Sequence, residues 1–198
     1  MAAMRPLKAF TLWSISPVLL SAACRVSPLI PDRTSSQQCS AYSTSTADPI
    51  TFKIAASFSA KGARFDTKKD IYSYNPPASA ELLLARLAGK KQRRPNSGQD
   101  AFFVAPVGDS NDVAFGVADG VGGWMDSGVD PADFSHGLCA RMRDAAARVE
   151  VGKERELKPG QLLQKGYDDI VEDDSIPAGG STACIAIGRS DGILEVAK

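Results

Sequence analysis

Two short apolar runs dominate the pattern of the chain. Asp100-Ala101-Phe102-Phe103-Val104-Ala105-Pro106-Val107 and Asp112-Val113-Ala114-Phe115-Gly116-Val117-Ala118-Asp119 each carry Val, Phe and Ala over a length that suits a buried strand. Between them, Gly108-Asp109-Ser110-Asn111 is a cluster of turn formers, so the two runs read as a β-hairpin. With the loop centred between Asp109 and Ser110, Phe102 faces Val117, Val104 faces Phe115 and Asp100 faces Asp119. Side chains alternate along a strand, which puts these three pairs on one face. Two carboxylates then stand side by side at one end of a face expected to be otherwise core. A slip of one residue in register would send them to opposite faces.

The flanking pattern supplies the other elements. Thr51 to Phe58 alternates in part and predicts a first strand, and the polar stretch from Ser59 to Pro77, ending in Asn75-Pro76-Pro77, reads as a loop. Ser79 can cap a short helix over Ala80–Ala88, with Leu83, Leu84 and Leu87 as its apolar stripe and Gly89 past its end. Lys90-Lys91-Gln92-Arg93-Arg94 follows as a basic linker. After the hairpin, Gly122–Gly128 is a loop. Asp130 is then placed to cap a helix that has Pro131 at its first position and Asp133 near its positive end. Phe134, Leu138, Met142, Ala145 and Val149 recur at helical spacing through it. Gln161–Val171 predicts a second helix carrying Leu162, Leu163, Tyr167 and Ile170. Ala178-Gly179-Gly180-Ser181-Thr182 leads into a strand over Ala183–Ile187, Arg189-Ser190-Asp191-Gly192 turns the chain, and Ile193–Ala197 begins a returning strand. Strands followed by a helix pair, without βαβ alternation, predict an α+β fold.

Composition narrows the setting. The chain has 198 residues, 43% hydrophobic and 23% charged, the balance of one globular domain with a leader. Its formal net charge is zero, so no whole-chain basic field points to nucleic acid or a membrane surface. No run of about 18 apolar residues is present to span a bilayer. Residues 1–47 differ in kind from the rest: Arg5, Lys8, Arg25 and Arg33 face a single acid, Asp32, among many Ser, Thr and Ala. That composition predicts a mitochondrial transit peptide, removed rather than folded, and a mildly acidic mature domain over residues 48–198. A secretory signal is the rival, because Phe10–Ala23 is apolar and follows two basic residues, but Pro17 interrupts it and Arg25 and Arg33 follow closely. The four cysteines, Cys24, Cys39, Cys139 and Cys184, form no C-x-x-C pair, which fits a reducing compartment. Cys139 and Cys184 read as core filler. His136 is the only histidine, and nothing around it resembles a nucleophile elbow.

The facing aspartates are the candidate chemistry. Like charges opposite each other on a sheet destabilise it by roughly 0.2–1 kcal/mol, so something must offset them. A shared proton, an arginine or a divalent cation could each do so, and hard cations such as Mg²⁺ or Mn²⁺ prefer oxygen donors. Gly120 would let its carbonyl approach such an ion. The plainer alternative is an ordinary Asp119-Gly120 turn with Asp100 as an exposed strand-edge residue. Arg94, six residues before Asp100, could reach a phosphate bound beside the carboxylates. Gly120-Val121-Gly122-Gly123 is not a nucleotide loop, since neither G-x-G-x-x-G nor Gly-Lys-Ser/Thr occurs there.

Four segments in this order resemble the PPM, or metal-dependent type 2C, family of serine/threonine protein phosphatases, and its mitochondrial branch most. They are Ser97-Gly98-Gln99-Asp100-Ala101; Gly116 through Trp124; Gly128-Val129-Asp130-Pro131 with Phe134-Ser135; and Gly180-Ser181-Thr182-Ala183. The resemblance implies a β-sandwich flanked by helices, of which only the N-terminal part is present here. It implies two Mn²⁺ or Mg²⁺ ions, bridged by Asp119, touched by the Gly120 carbonyl and bordered by Asp100. A water activated between the ions would attack a phosphoserine or phosphothreonine of a protein substrate in the mitochondrial matrix, and the expected state is a monomer. The sequence departs from the family at Gln99, where an acidic ligand is usual, and near Arg94, where Pro95 stands closer to the position of the family's arginine. The family's remaining aspartate ligands belong to a second half that would follow Lys198. The expectation is therefore an incomplete phosphatase with weak metal binding, or else a non-catalytic binding or regulatory module.

Overall fold

The computed structural model of the protein describes residues 10–12 (backbone only), 50–75 and 94–198. The predicted helix over Ala80–Ala88, the basic run up to Arg93, Cys24, Cys39 and nearly all of residues 1–47 lie outside the described residues.

The hairpin forms in the predicted register. Strands β4 (Asp100–Pro106) and β5 (Val113–Asp119) pair antiparallel with Phe102 opposite Val117, Val104 opposite Phe115 and Asp100 opposite Asp119. β7 (Cys184–Gly188) adds to β5, and β8 (Leu194–Ala197) to β7, giving an antiparallel sheet in the order β4-β5-β7-β8. Helices α1 (Pro131–Ala147) and α2 (Pro159–Val171) cover one face of it. Phe134, Leu138, Met142, Leu162 and Ile170 from the helices pack there on Ala101, Phe103, Ala105, Ala114, Ala118, Ile185 and Ile187. The alanines let the helices approach closely, so Phe134, Leu138 and Met142 become fully buried.

A second, thinner layer lies on the other face. β2 (Ile54–Ser57) and β3 (Ile71–Tyr74) form a two-stranded antiparallel sheet. Phe52, Ile54, Tyr72 and Tyr74 meet Val104, Val113 and Phe115, and the Phe102 ring sits 5.4 Å from Phe58 and 5.5 Å from Tyr72. Helices, a central sheet and a second small sheet make the α+β, partly sandwiched arrangement expected. β1 (Phe10–Leu12), inside the segment read as a leader, runs parallel to β6 (Gly179–Ser181).

Several local expectations need correction. The face that carries the two aspartates is not the main core: it is the face turned away from the helices, and Val117 on it is 59% exposed. Both faces of β4 and β5 are apolar, so alternation alone could not say which the helices take. β3 lies inside the supposed loop from Ser59 to Pro77, because Tyr72 and Tyr74 gain burial only by packing on a sheet that is distant in sequence. Cys184 is exposed, whereas Cys139 is core. Burial pushes the Cys139 thiol up to about 12, so it is no nucleophile at neutral pH. Ala146 rather than Ala145 is fully buried in α1. Gly122–Ser127 is a 3₁₀ helix, closed at Gly128, instead of an irregular loop.

An ionic hub closes the far end of the sheet. Arg189, in the β7–β8 turn, has a side chain 2% exposed and pairs with Asp112, equally buried, at 3.1 Å. It also donates to the Glu154 carbonyl at 2.9 Å, to the Leu157 carbonyl and to Glu195 Oε2, while the Ser190 amide donates to Asp112 Oδ1 at 2.8 Å. Lys158 Nζ sits 2.6 Å from Glu195 Oε1. The hydrogen bond from Lys158, then that from Arg189, holds the Glu195 carboxyl below its usual range. A carboxyl depressed in the folded state contributes stability that is present above its unfolded value and lost as pH falls through the folded one. Glu195→Gln should therefore destabilise the protein at pH 7 but hardly at all in acid. Urea midpoints measured against pH will show a flatter acid limb in the variant, and parallel limbs would refute the assignment.

Candidate functional site

Asp100 opens β4 and Asp119 closes β5 directly opposite it. The Gly120 amide donates to the Gln99 carbonyl at 3.0 Å, making residues 99 and 120 a hydrogen-bonded pair. The adjoining Asp100–Asp119 pair thus falls in the non-hydrogen-bonded position, where facing side chains come closest. Partial desolvation raises the Asp100 pKa, the hydrogen bond and charge of Asp119 raise it further, and His136 opposes them.

The far side of Asp119 is strapped by the Gly-Ser-Thr segment. The Thr182 amide donates to the Asp119 carbonyl at 2.9 Å, Ser181 Oγ donates to the same oxygen at 3.0 Å, and the Asp119 amide donates to Thr182 Oγ1 at 3.3 Å. Gly120 is wedged behind it: a Cβ there would lie 2.5 Å from the Pro131 carbonyl oxygen and 3.1 Å from that of Gln99. Only glycine lets α1 begin against the end of β5. Asp130 caps that helix as predicted, accepting from the Ala132 amide at 3.0 Å, with Pro131 in its first turn. The Gln99 side-chain amide points at Asp119 Oδ1 from 3.4 Å, so a neutral donor stands beside the carboxylates where an acid was expected by resemblance.

Arg94 is engaged elsewhere. Its guanidinium lies 2.9 Å from Asp133 and 3.3 Å from Asp130, so a phosphate would have to compete with two carboxylates. The sequence placed Ser135 in a family-like segment without giving it a part in the site, and it gave His136 no role. Ser135 Oγ donates to the Gln99 carbonyl at 2.6 Å, and His136 Nε2 lies 3.0 Å from the Gly98 carbonyl and 3.4 Å from Ser97 Oγ. A signal was present: Ser135 falls with Pro131, Phe134, Leu138 and Met142 on the buried stripe of α1, where a hydroxyl needs a partner.

Two carboxylates face each other here, and carboxylate oxygens are the donors that a hard divalent cation prefers. Among the described residues no group of three or more His, Cys, Asp or Glu side chains could hold a metal ion. A six-coordinate ion here would draw its remaining ligands from water, as Mg²⁺ commonly does.

No protein-family profile matches the chain. It is similar to "Protein phosphatase 2C homolog 7, mitochondrial" of Saccharomyces cerevisiae, 32% identical over 134 residues that cover 67% of this chain and 38% of that protein. The "Protein phosphatase PTC7 homolog" of Homo sapiens is 43% identical over 90 residues, covering 46% of this chain and 28% of the relative. The 5-azacytidine resistance protein azr1 of Schizosaccharomyces pombe is 36% identical over 93 residues, covering 47% and 29%. A solved structure, that of the photosystem II phosphatase PBCP, matches 58% of this chain and 37% of its own at 32% identity, with a TM-score of 0.37. The chain thus spans less than two fifths of the length of these relatives. The segments that carry the resemblance lie where the paired aspartates, the glycine wedge and the Gly-Ser-Thr strap meet, and the chain belongs to the PPM, or type 2C, family of protein phosphatases.

Proposed function

We propose that this chain carries the metal-holding edge of a protein serine/threonine phosphatase acting on phosphoproteins in the mitochondrial matrix, as a monomer. The observation that supports it best is the pair of facing carboxyls at a sheet end where Gly120 excludes any side chain. Asp119 and Asp100 would hold Mn²⁺ or Mg²⁺, with the Gly120 carbonyl beside them. The bound ions would supply charge neutralisation and an acidified water for attack on phosphorus. The chain's own part is to orient: the hydrogen bonds from Ser181 and Thr182 to the Asp119 backbone fix its direction, and the hydrogen-bonded 99/120 pair fixes the spacing to Asp100. Arg94 would contact a phosphoryl oxygen only by giving up Asp130 or Asp133, so its part is the smaller one. The mitochondrial setting is supported by the name of the yeast relative and by the basic, acid-poor composition of residues 1–47. Among the described residues no helix is long and apolar enough to cross a membrane.

Calorimetric titration with Mn²⁺ tests this reading. Asp119→Asn should weaken Mn²⁺ binding at least about tenfold and end Mn²⁺-dependent phosphopeptide hydrolysis. In metal-free buffer the same change should raise stability by roughly 0.2–1 kcal/mol, because one of two opposed like charges is gone. Unaltered Mn²⁺ affinity would sink the proposal. A second reading, a non-catalytic binding module, is favoured by the neutral Gln99 amide beside Asp119. Mn²⁺-dependent turnover in the unaltered protein excludes it.

A further inference from the structure

The spacing between Asp100 and Asp119 has to be held against repulsion. β4 is an edge strand of the four-stranded sheet, so pairing restrains the start of Asp100's strand from one side only. The segment before it turns at Gly98, whose φ of +69° belongs to the left-handed region that glycine adopts without strain. Restraint from the other side must come from outside the sheet, and the second turn of α1 supplies it. Ser135 Oγ donates to the Gln99 carbonyl at 2.6 Å, the same oxygen that takes the Gly120 amide at 3.0 Å. One residue further on, His136 Nε2 meets the Gly98 carbonyl at 3.0 Å. A carbonyl can only accept, so the ring's proton is on Nε2 and the bond is a donation. Ser97 Oγ closes the turn by donating to the Asp100 carbonyl.

We propose that Ser135 and His136 are positioning residues that clamp the Gly98–Gln99 turn from α1 and so hold Asp100 opposite Asp119. Their adjacency matters: two consecutive helical residues grip two consecutive carbonyls, and α1 is itself anchored by Phe134 and Leu138, both fully buried. The clamp stands on these distances alone. Only its effect on cation binding rests on reading the aspartates as a metal site.

Two readouts separate the clamp from that reading. In metal-free protein, hydrogen exchange at the Gly120 amide should speed up about five- to tenfold in His136→Leu and in Ser135→Ala, the loss expected from one hydrogen bond. Amides of Phe103 and Ile185 in the core should keep wild-type rates. Mn²⁺ affinity, measured by calorimetry, should fall about three- to tenfold in the same variants. His136→Gln, which puts an amide N–H near the place of Nε2, should restore both. Should His136→Leu fail to fold, Ser135→Ala carries the same two measurements. Unchanged Gly120 exchange in both variants, or His136→Gln behaving like His136→Leu, overturns the clamp. Faster Gly120 exchange in a protein that binds no Mn²⁺ at all supports the clamp and removes the metal reading instead.

Discussion

Replacing Arg189 with methionine should lower the unfolding free energy by roughly 3–5 kcal/mol, the cost of leaving a buried charge without its partner. Asp112, 2% exposed, would lose its guanidinium partner and retain the hydrogen bond from the Ser190 amide, and the carbonyls of Glu154 and Leu157 would each lose a donor. The hub ties the α1–α2 connection and the β4–β5 loop to the β7–β8 turn, so the loss should appear as one cooperative shift of the urea midpoint. Adding Asp112→Asn to the variant removes the stranded charge while keeping an acceptor for Ser190. The double variant should therefore recover part of the loss, which a double-mutant cycle will measure. A shift below about 1 kcal/mol in the single variant would show that water reaches Asp112 and that the burial is misjudged.

Gly120→Ala should cost about 3 kcal/mol, at the upper end for forcing a methyl group into a filled space. The obstacle is backbone: the new Cβ would sit 2.5 Å from the Pro131 carbonyl oxygen, 2.9 Å from its carbon and 3.1 Å from the Gln99 oxygen. No side chain can swing aside to relieve it, so α1 must move away from the end of β5. That movement would also pull Ser135 and His136 off the Gly98–Gln99 turn, and Mn²⁺ affinity should fall along with stability. Gly123→Ala is the control, because a Cβ there meets nothing within 4 Å and should change stability by less than about 0.5 kcal/mol. Equal thermal midpoints for the two alanine variants would contradict the close approach of α1 and β5.

The hairpin was legible in the sequence because its register depends on local chemistry. The turn residues Gly108–Asn111 fix the loop centre, and every cross-strand pair follows by counting. The Asp130 cap and the α1 stripe were legible for the same reason, since both depend on residues only a few positions apart. What escaped were matters settled across long distances in sequence. Arg189 reads as part of a polar turn, yet Asp112, Glu154, Leu157 and Glu195 converge to bury it. Tyr72 and Tyr74 read as loop residues until the face of β4 and β5 gives them a surface to cover. Cys184 follows a small-residue segment into an apolar strand, but its side falls on the face that the helices do not reach.

By itself, the sequence determined that two aspartates meet at the end of a hairpin and that glycine follows the second, because alternation and turn chemistry act between near neighbours. Only the tertiary structure decided which face of the hairpin the helices take, that Gly120 is a wedge under α1, and that Ser135 and His136 grip the turn before Asp100. Those outcomes depend on the volume and hydrogen-bonding needs of groups brought together by packing, and the spacing of letters along a chain does not encode them.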